Sequence, residues 1–229
     1  MTNNAIFITG TDTEIGKTET TVGLLKSIAR LNLTAIGMKP IASDAELTKD
    51  GLRNEDALQL LKFSNPQLDY SIINPYVFKD PTSPHIAAQL VKEEITLDTI
   101  VRAFEICQRS ADIVLVEGIG GWRVPLSESL QTVDLVRRLK LPTILVCGLR
   151  LGCINHTLLS AAAIQSDGIQ LIGWIGNVVD PDYAYRQETI STLQRRVDAP
   201  LLGITEWREP SDIDGIADDL EPLARHLWG

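Results

Sequence analysis

The sequence predicts an α/β fold in three layers, in which helices cover both faces of a mostly parallel β-sheet. Apolar runs of strand length recur along the chain, and longer segments with helical periodicity lie between most of them. The strand-length runs are continuously apolar rather than alternating, which indicates strands that are buried on both faces. The 229 residues, of which 44% are hydrophobic, are enough for one well-cored domain over residues 1–229.

Six apolar runs are predicted strands: "AIFIT" (5–9), "TAIGMKPI" (34–41), "DIVLVEG" (112–118), "TILVCG" (143–148), "LIGWIGNVV" (171–179) and "PLLGI" (200–204). Helices are predicted directly after Lys17 and over 96–110, 129–140, 154–166 and 183–197. The stretch 44–95 contains no clear strand, and we expect it to lie over the site. Ligands of parallel sheets collect beyond the carboxyl ends of the strands, so the residues that follow each strand are the first candidates.

Composition disfavours several classes of function. The net charge of −9 argues against a nucleic-acid partner, which requires a clustered positive surface. Cys107, Cys147 and Cys153 form no CxxC pair, so we expect reduced thiols in a cytoplasmic protein and no zinc site. The N-terminal residues lack the basic flank of a signal peptide, and no apolar run reaches membrane-spanning length. We therefore expect neither export nor membrane insertion.

The stretch "GTDTEIGKT", from Gly10 to Thr18, has the parts of a phosphate-binding loop. Gly10 and Gly16 permit a tight turn with converging backbone N–H groups. Lys17 can reach the terminal phosphates, and Thr18 supplies a hydroxyl for Mg²⁺ at the helix start. Five residues separate the two glycines, one more than in the usual G-x-x-x-x-G-K-[ST] pattern. A P-loop NTPase type of fold is favoured over a lysine-bearing turn before a surface helix.

Charged residues at two other strand ends add to this candidate site. Glu117 ends a buried strand, so a magnesium ligand is favoured over an ordinary solvated strand end. Lys39 is either a snorkelling surface residue or a second cation at the phosphates, and the residues alone leave both open. Asp56, in "RNEDALQLL", is interpreted from the residues alone as a favourable charge at a helix start. Other polar or glycine residues after strands are Ser43, Gly118, Gly120, Gly121, the segment 148–156 and Asn177.

Eight blocks of the sequence together resemble the dethiobiotin synthetase family, in the right order and over about 200 residues. They are "TGTDTEIGKT", "MKPIAS", "GLRNEDALQL", "NPYVF", "PTSPHIAA", "VEGIGGW", "LGCINHTLL" and "GWIGN". Eight ordered blocks are more specific than a phosphate loop alone. In that family the loop reads G-x-x-x-x-x-G-K-T, as it does here, so the extra loop residue supports the resemblance.

The resemblance implies an ATP-dependent ring closure by a cyclo-ligase. One amine of 7,8-diaminononanoate captures CO₂ as a carbamate, which the γ-phosphate of ATP then phosphorylates. The second amine closes the ureido ring, and dethiobiotin, ADP and phosphate are released. Such chemistry depends on positioning and charge neutralisation more than on a protein nucleophile. ATP is the expected co-substrate and Mg²⁺ the expected metal.

The resemblance also gives individual residues a role. Lys17 and Lys39 would neutralise the γ-phosphate and the carbamate, with Lys39 as the catalytic lysine. Thr18, Asp56 and Glu117 would hold Mg²⁺, which reverses the interpretation of Asp56 from the residues alone. The remaining expected contacts are Thr13 and Ser43 with the diamine or its carbamate, Asn177 with the adenine, and Glu14, Ile15, Gly16, Glu19, Gly118 and Gly120 with the nucleotide.

A homodimer with sites at the subunit interface is a further implication. "GLRLGCINHTLL" predicts a helix start whose free N–H groups suit an anion, and Cys153 and Asn155 would lie near the carboxylate of a substrate bound to the partner subunit. A helix cap buried within its own chain is the alternative. The match weakens after residue 203, where "ITEWREPSDI" departs from the expected proline-containing segment. No nucleotide contacts are therefore carried over to the segment 206–208.

Two other classes of protein share some of these features. A ParA- or MinD-like ATPase has the same phosphate-loop sheet and acts as a nucleotide-switched dimer. Those proteins carry an early loop lysine where this chain has Thr11 and Asp12. A ligase of the cobyrinate amidating type resembles this chain in the loop but normally carries a glutaminase domain, for which 229 residues leave no room.

Overall fold

The computed structural model describes residues 4–208 and 212–229, and within them the chain forms ten strands and nine helices. The strands are β1 (Ala5–Gly10), β2 (Ala35–Met38), β3 (Ile41–Ala42), β4 (Glu46–Thr48), β5 (Gly51–Arg53), β6 (Tyr76–Val77), β7 (Ile113–Glu117), β8 (Thr143–Leu149), β9 (Leu171–Val178) and β10 (Leu201–Thr205). The helices are α1 (Lys17–Arg30), α2 (Glu55–Phe63), α3 (Tyr70–Ile73), α4 (Pro84–Val91), α5 (Leu97–Ser110), α6 (Thr132–Leu139), α7 (Cys153–Ser166), α8 (Arg186–Arg196) and α9 (Ile213–Trp228).

Six strands form the central sheet in the order β10-β9-β8-β1-β7-β2, and every neighbouring pair is parallel. Each of the six predicted strands corresponds to one strand of this sheet. All residues of β1, β2, β7 and β8 are buried, as their continuously apolar runs indicate. The predicted α/β class with a parallel sheet is confirmed.

The helices pack against the sheet and against one another. α1 packs against α9 and α2, whereas α5 packs against α6 and α7 against α8. At the crossing of α1 and α9, a Cβ on Gly23 would stand 2.5 Å from Cγ2 of Ile216, so the close approach requires glycine there. The predicted helices are all present, with ends that differ by a few residues. No helix in the described part of the chain is both long and apolar enough to cross a membrane.

The stretch 44–95, predicted without a clear strand, contains short elements of both kinds. β4 and β5 form an antiparallel hairpin, and β6 pairs with β3 in parallel. These strands are two or three residues long, too short to show a periodic pattern. Asp44 and the start of α2 reach the site described below, while the rest of α2 packs against β2 and α3 packs against α5. The expectation that this stretch lies over the site holds for its first part only.

Candidate active site

A cavity of about 430 Å³ lies at the carboxyl edge of the sheet, where β1, β2 and β7 end. Parallel strands bring the residues that follow them to one edge, so segments far apart in sequence meet here. Most of the predicted site residues line this cavity. The lining residues are Thr13, Glu14, Ile15, Gly16, Lys17, Thr18, Glu19, Lys39, Ser43, Asp44, Asn54, Glu55, Asp56, Ile119 and Gly120.

The loop between β1 and α1 folds back on its own lysine. Lys17 Nζ donates a hydrogen bond to the backbone oxygen of Asp12 at 2.7 Å. Glu14 has a positive φ of 55°, and Gly16, the N-cap of α1, has a φ of 81°. A Cβ on Gly16 would stand 1.9 Å from Nδ2 of Asn177, so only glycine allows β9 to approach the loop this closely. The longer loop thus forms a closed turn at the start of α1.

Four charged side chains meet beside this loop. Lys39 Nζ donates to Asp56 Oδ2 at 2.5 Å and to Glu117 Oε1 at 2.7 Å. Thr18 Oγ1 donates to the same Glu117 oxygen at 2.8 Å. Lys39 is 4% exposed and Glu117 is fully buried, so Lys39 is not a snorkelling surface residue. We call Lys17, Lys39, Asp56 and Glu117 the charged cluster.

Burial and mutual attraction set the protonation of the charged cluster. Burial, together with the positive charge of Lys39, lowers the pKa of Lys17 to about 8. Burial also opposes the charge of Lys39, but the carboxylates of Glu117 and Asp56 outweigh it and raise the pKa of Lys39. Burial opposes ionisation of Asp56 as well, but the ammonium of Lys39 keeps the pKa of Asp56 below its usual value. Lys39 and Asp56 are therefore both charged at neutral pH.

The oxygen atoms of this cluster fit a magnesium ion. Glu117 Oε2 is buried and has no hydrogen-bond partner in the protein, so it is an acceptor that a cation would satisfy. No group of three or more His, Cys, Asp or Glu side chains suited to a metal occurs within residues 4–208 and 212–229. Mg²⁺ commonly binds through one or two carboxylates together with phosphate oxygens, and Thr18, Asp56 and Glu117 offer that set.

A second cavity, of about 220 Å³, lies on the other side of the loop at the ends of β9 and β10. Asn177 Nδ2 donates to Ile15 O at 2.9 Å, and Asn177 Oδ1 accepts from Thr205 Oγ1 at 2.5 Å. Each bond uses half of the capacity of its group, which leaves one N–H and one lone pair. The second cavity is lined by Glu14, Gly16, Glu19, Asn177, Val178, Val179, Glu206, Trp207, Arg208 and Ile216.

The segment 206–208, to which no predicted nucleotide contacts were assigned, lines this second cavity and is held by α9. Arg208 pairs with both carboxylate oxygens of Asp219, at 2.7 and 3.0 Å. The backbone N–H of Glu206 donates to Asp219 Oδ2 at 3.0 Å. Trp207 between them is 42% exposed. We call the bonds from Asp219 to Arg208 and Glu206 the clamp. The sequence carries no signal for the clamp, because a single Arg–Asp pair across a turn has no periodicity. Residues 209–211 of the same stretch lie outside the described residues.

Four predicted site residues line neither cavity: the fully buried Glu117 of the charged cluster, Gly118, Cys153 and Asn155. Gly118 packs against the core, where a Cβ would stand 2.9 Å from Cζ of Phe7. Cys153 at the start of α7 is 3% exposed, and its N–H donates to Arg150 O at 3.1 Å. Asn155, two residues further along α7, is exposed. Within one chain, Asn155 is thus the accessible side chain of the predicted pair.

Two contacts to site residues were missed by sequence reasoning. Arg150 pairs with Asp12 of the phosphate loop at 2.8 Å. Asn54, 7% exposed, accepts from the N–H of Ala57 at 3.2 Å and so caps α2, whose first turn carries Asp56. An asparagine before two acidic residues is a recognisable N-cap signal, and it would have located the helix start. Nothing in the sequence pairs residue 12 with residue 150.

The sheet, the glycine-containing loop and the charged cluster define a P-loop nucleotide-binding protein of the α/β class. The fold is similar to that of the MinC:MinD cell division protein complex of Aquifex aeolicus, with a TM-score of 0.62, 13% identity, and 98% and 96% of the two chains covered. A ParA family ATPase from Chlorobium tepidum TLS gives a TM-score of 0.56 at 11% identity, covering 99% of this chain and 95% of its own. At such identities the similarity shows the fold alone.

Sequence comparison identifies the family within this class. A family profile described as an AAA domain matches residues 4–213. The chain is 47% identical over 217 residues to the ATP-dependent dethiobiotin synthetase BioD of Xanthomonas oryzae pv. oryzae (strain PXO99A), covering 95% of this chain and 97% of that protein. It is 45% identical over 222 residues to ATP-dependent dethiobiotin synthetase BioD 1 of Salmonella typhi, covering 96% and 97%. The chain belongs to the dethiobiotin synthetase family, and the predicted resemblance is confirmed.

The clamp on the segment 206–208 gives a testable prediction. Asp219→Asn removes the charge that holds Arg208, so the wall of the second cavity loosens and the KM for ATP rises about tenfold, with kcat little changed. Asp218→Asn is the matched control, because Asp218 is the preceding residue of α9 and pairs instead with Arg30 at 2.7 Å. Steady-state kinetics at saturating magnesium give KM and kcat for both variants. Equal KM values for the two variants would contradict a role of the clamp in nucleotide binding.

Proposed function

We propose that the protein is an ATP-dependent dethiobiotin synthetase, which carboxylates 7,8-diaminononanoate with CO₂ and closes the ureido ring. The carbamate oxygen attacks the γ-phosphorus, ADP leaves, and a carbamoyl phosphate-type mixed anhydride forms. The second amine then attacks the carbamoyl carbon and expels phosphate, giving dethiobiotin. Family membership supports this activity. The observation that carries it is the buried Lys39 between Asp56 and Glu117, beside the hydroxyl of a phosphate loop.

The charged cluster suits phosphoryl transfer without a protein nucleophile. Lys17 and Lys39 neutralise charge on the γ-phosphate and on the carbamate, which is the main requirement of such a reaction. Thr18, Asp56 and Glu117 hold Mg²⁺, which supplies further positive charge at the phosphates when bound. The backbone of the loop, with Glu14, Ile15, Gly16, Glu19 and Gly120, surrounds the nucleotide, and Gly118 contributes close packing behind it.

ATP and the diamine are recognised on opposite sides of the phosphate loop. Asn177 keeps one N–H and one lone pair, which matches the acceptor and donor on the edge of adenine. Thr13 and Ser43 line the first cavity on the side of the charged cluster and contact the diamine or its carbamate. The nucleotide base therefore occupies the second cavity, and the diamine occupies the first.

The substrate carboxylate is bound by a second copy of the chain in a homodimer. Asn155 is exposed at the start of α7, next to Leu151 and Leu159, which are 86% and 62% exposed. Exposed apolar side chains beside a polar group are typical of an interaction surface. The protein works in the cytoplasm, where its buried free cysteines stay reduced.

One experiment tests this function against the ParA- or MinD-like switch ATPase. The pure protein is incubated with Mg-ATP, bicarbonate and the diamine, each omitted in turn, while phosphate release and product mass are followed. We expect phosphate release that requires all three, with one dethiobiotin per phosphate. Phosphate release that ignored the diamine would favour the switch ATPase.

Lys39→Ala and Lys17→Gln each lose turnover by about 10²- to 10³-fold, because removing one donor at a developing charge typically costs ~3–4 kcal/mol. Lys62→Ala, at an exposed lysine of α2, is the control and keeps wild-type turnover. Circular dichroism and melting temperature establish that the variants are folded. Near-normal turnover of folded Lys39→Ala would contradict the proposed contact between Lys39 and the phosphate that is transferred.

Asp56→Asn and Glu117→Gln raise the magnesium concentration needed for half-maximal activity, because each removes a charge and keeps the shape. A residue that only favours the start of α2 would instead cost about 0.3–1 kcal/mol of stability and leave the magnesium requirement unchanged. Asp98→Asn, in the first turn of α5, is the matched control for that effect. A magnesium titration of activity separates the two roles, and an unshifted midpoint for Asp56→Asn would exclude it as a ligand.

Subunit mixing tests the shared site. Lys17→Gln and Asn155→Ala, each inactive alone, form mixed dimers in which one site carries both defects and the other carries none. Random pairing makes half of the dimers mixed, so activity recovers to about a quarter of wild type under twofold symmetry. Subunit exchange is followed by mass spectrometry of tagged chains. No recovery despite complete exchange would put both residues in the site of one chain.

A further inference from the structure

Three neutral side chains, Asn54, Tyr70 and Asn74, connect the segments that carry the charged cluster. All three come from the stretch 44–95, most of which does not line the first cavity. Asn54 is 7% exposed and Asn74 is 2% exposed. Buried amides of this kind need oriented hydrogen-bond partners, so the partners of each one show what it holds in place.

Asn74 fixes the backbone at Lys39. Its Nδ2 donates to Lys39 O at 2.7 Å and to Tyr76 O at 3.0 Å. The N–H of Lys39 donates to Ile73 O at 2.9 Å. Both backbone groups of Lys39 are thus held by the segment from α3 to β6, and the side chain leaves this fixed point toward Glu117.

Asn54 joins the two other segments of the first cavity. Its Oδ1 accepts from Ala57 N and caps α2, the helix that carries Asp56. Its Nδ2 donates to Ser43 O at 3.0 Å. One amide therefore sets the distance between the predicted diamine contact at Ser43 and the predicted metal ligand at Asp56.

Tyr70 links these two amides. Its hydroxyl accepts from Asn54 N at 2.9 Å and donates to Asn74 Oδ1 at 2.8 Å. The guanidinium of Arg53 lies over the ring, 4.2 Å from its centroid, and holds the ring plane. A continuous path of hydrogen bonds runs from Ser43 through Asn54, Tyr70 and Asn74 to Lys39.

We propose that Asn54, Tyr70 and Asn74 are a positioning relay, which fixes the separations among Lys39, Ser43 and Asp56 for phosphorylation of the carbamate. The inference rests on the proposed function and deepens it. None of the three side chains bonds to the phosphate loop or to Asn177, so the relay acts on the diamine and metal side of the site and not on the base. Small displacements of reacting groups are costly, of order 10²-fold for about 1 Å.

Tyr70→Phe is the sharpest variant, because it removes only the hydroxyl and keeps the ring under Arg53. Tyr76→Phe is the matched control. The hydroxyl of Tyr76 also accepts a backbone N–H, from Thr96 at 2.9 Å, and lies 3.2 Å from Thr96 Oγ1, but it points to the start of α5 and not to the site. Tyr76 is 5% exposed, so we expect Tyr76→Phe to lower the stability of the fold about as much as Tyr70→Phe does.

We expect Tyr70→Phe to lower kcat about 10- to 100-fold, with the KM for ATP at saturating magnesium within about twofold of wild type. Mg²⁺ titrated by calorimetry into the ADP-bound protein binds at least about threefold more weakly. Tyr76→Phe keeps wild-type values for all three while its melting temperature falls by a similar amount. Equal kinetics and equal Mg²⁺ affinity in the two variants would overturn the relay.

Asn54→Ser tests separately the part of the relay that connects Asn54 to Ser43. Serine still caps α2 but is too short to donate to Ser43 O, so the KM for the diamine rises roughly tenfold while Mg²⁺ affinity stays near wild type. An unchanged KM for the diamine would contradict the role of the Asn54–Ser43 hydrogen bond in positioning Ser43. Failure of the proposed function is distinguishable, because it would appear as wild-type phosphate release that ignores the diamine. The Mg²⁺ titration needs no diamine and decides the relay in either case.

Discussion

The buried ammonium of Lys39 is the constraint on which the rest of the site depends. A lysine that is 4% exposed is tolerated only where carboxylates compensate its charge, and here Glu117 and Asp56 both accept from Nζ. Loss of one partner of such a buried pair typically costs ~3–5 kcal/mol. The elements that carry these three residues, the ends of β2 and β7 and the start of α2, are therefore tied together by charge as well as by packing.

The formal charges of the charged cluster are balanced, and this balance supports the proposed Mg²⁺ ion. The charges of its two ammonium groups and two carboxylates cancel. The negative charge of a bound triphosphate is therefore not offset by the cluster alone. Oε2 of Glu117 is buried without a hydrogen-bond partner in the protein, so it is an unused acceptor. A divalent cation bound beside Glu117 would satisfy that oxygen and add positive charge near the phosphates.

The sequence predicted the parts of the fold and site that have a local physical signature. Continuously apolar runs located all six strands of the sheet, and a charge at the end of such a run singled out Glu117. Asp56 could not be assigned from the residues, because an acidic residue at a helix start looks the same whether it faces a ligand or only the helix dipole. The clamp of Arg208 and the relay through Tyr70 depend on a few hydrogen bonds between segments that are apart in the sequence, and such bonds leave no periodic pattern.

The similarity to MinD and ParA proteins extends to the fold alone. Those chains share the sheet at TM-scores of 0.56 to 0.62 with only 11 to 13% identity, so the strand order and the phosphate edge do not by themselves select a reaction. What a ligase needs in addition is a second substrate held against the γ-phosphate. The residues that could do so, Lys39, Ser43 and Asp56, all follow β2, and the segment from β3 to β6 supports them. The proposed carbamate phosphorylation thus depends on the segment that follows β2, which its own hydrogen bonds fix at the phosphate-binding edge of the sheet.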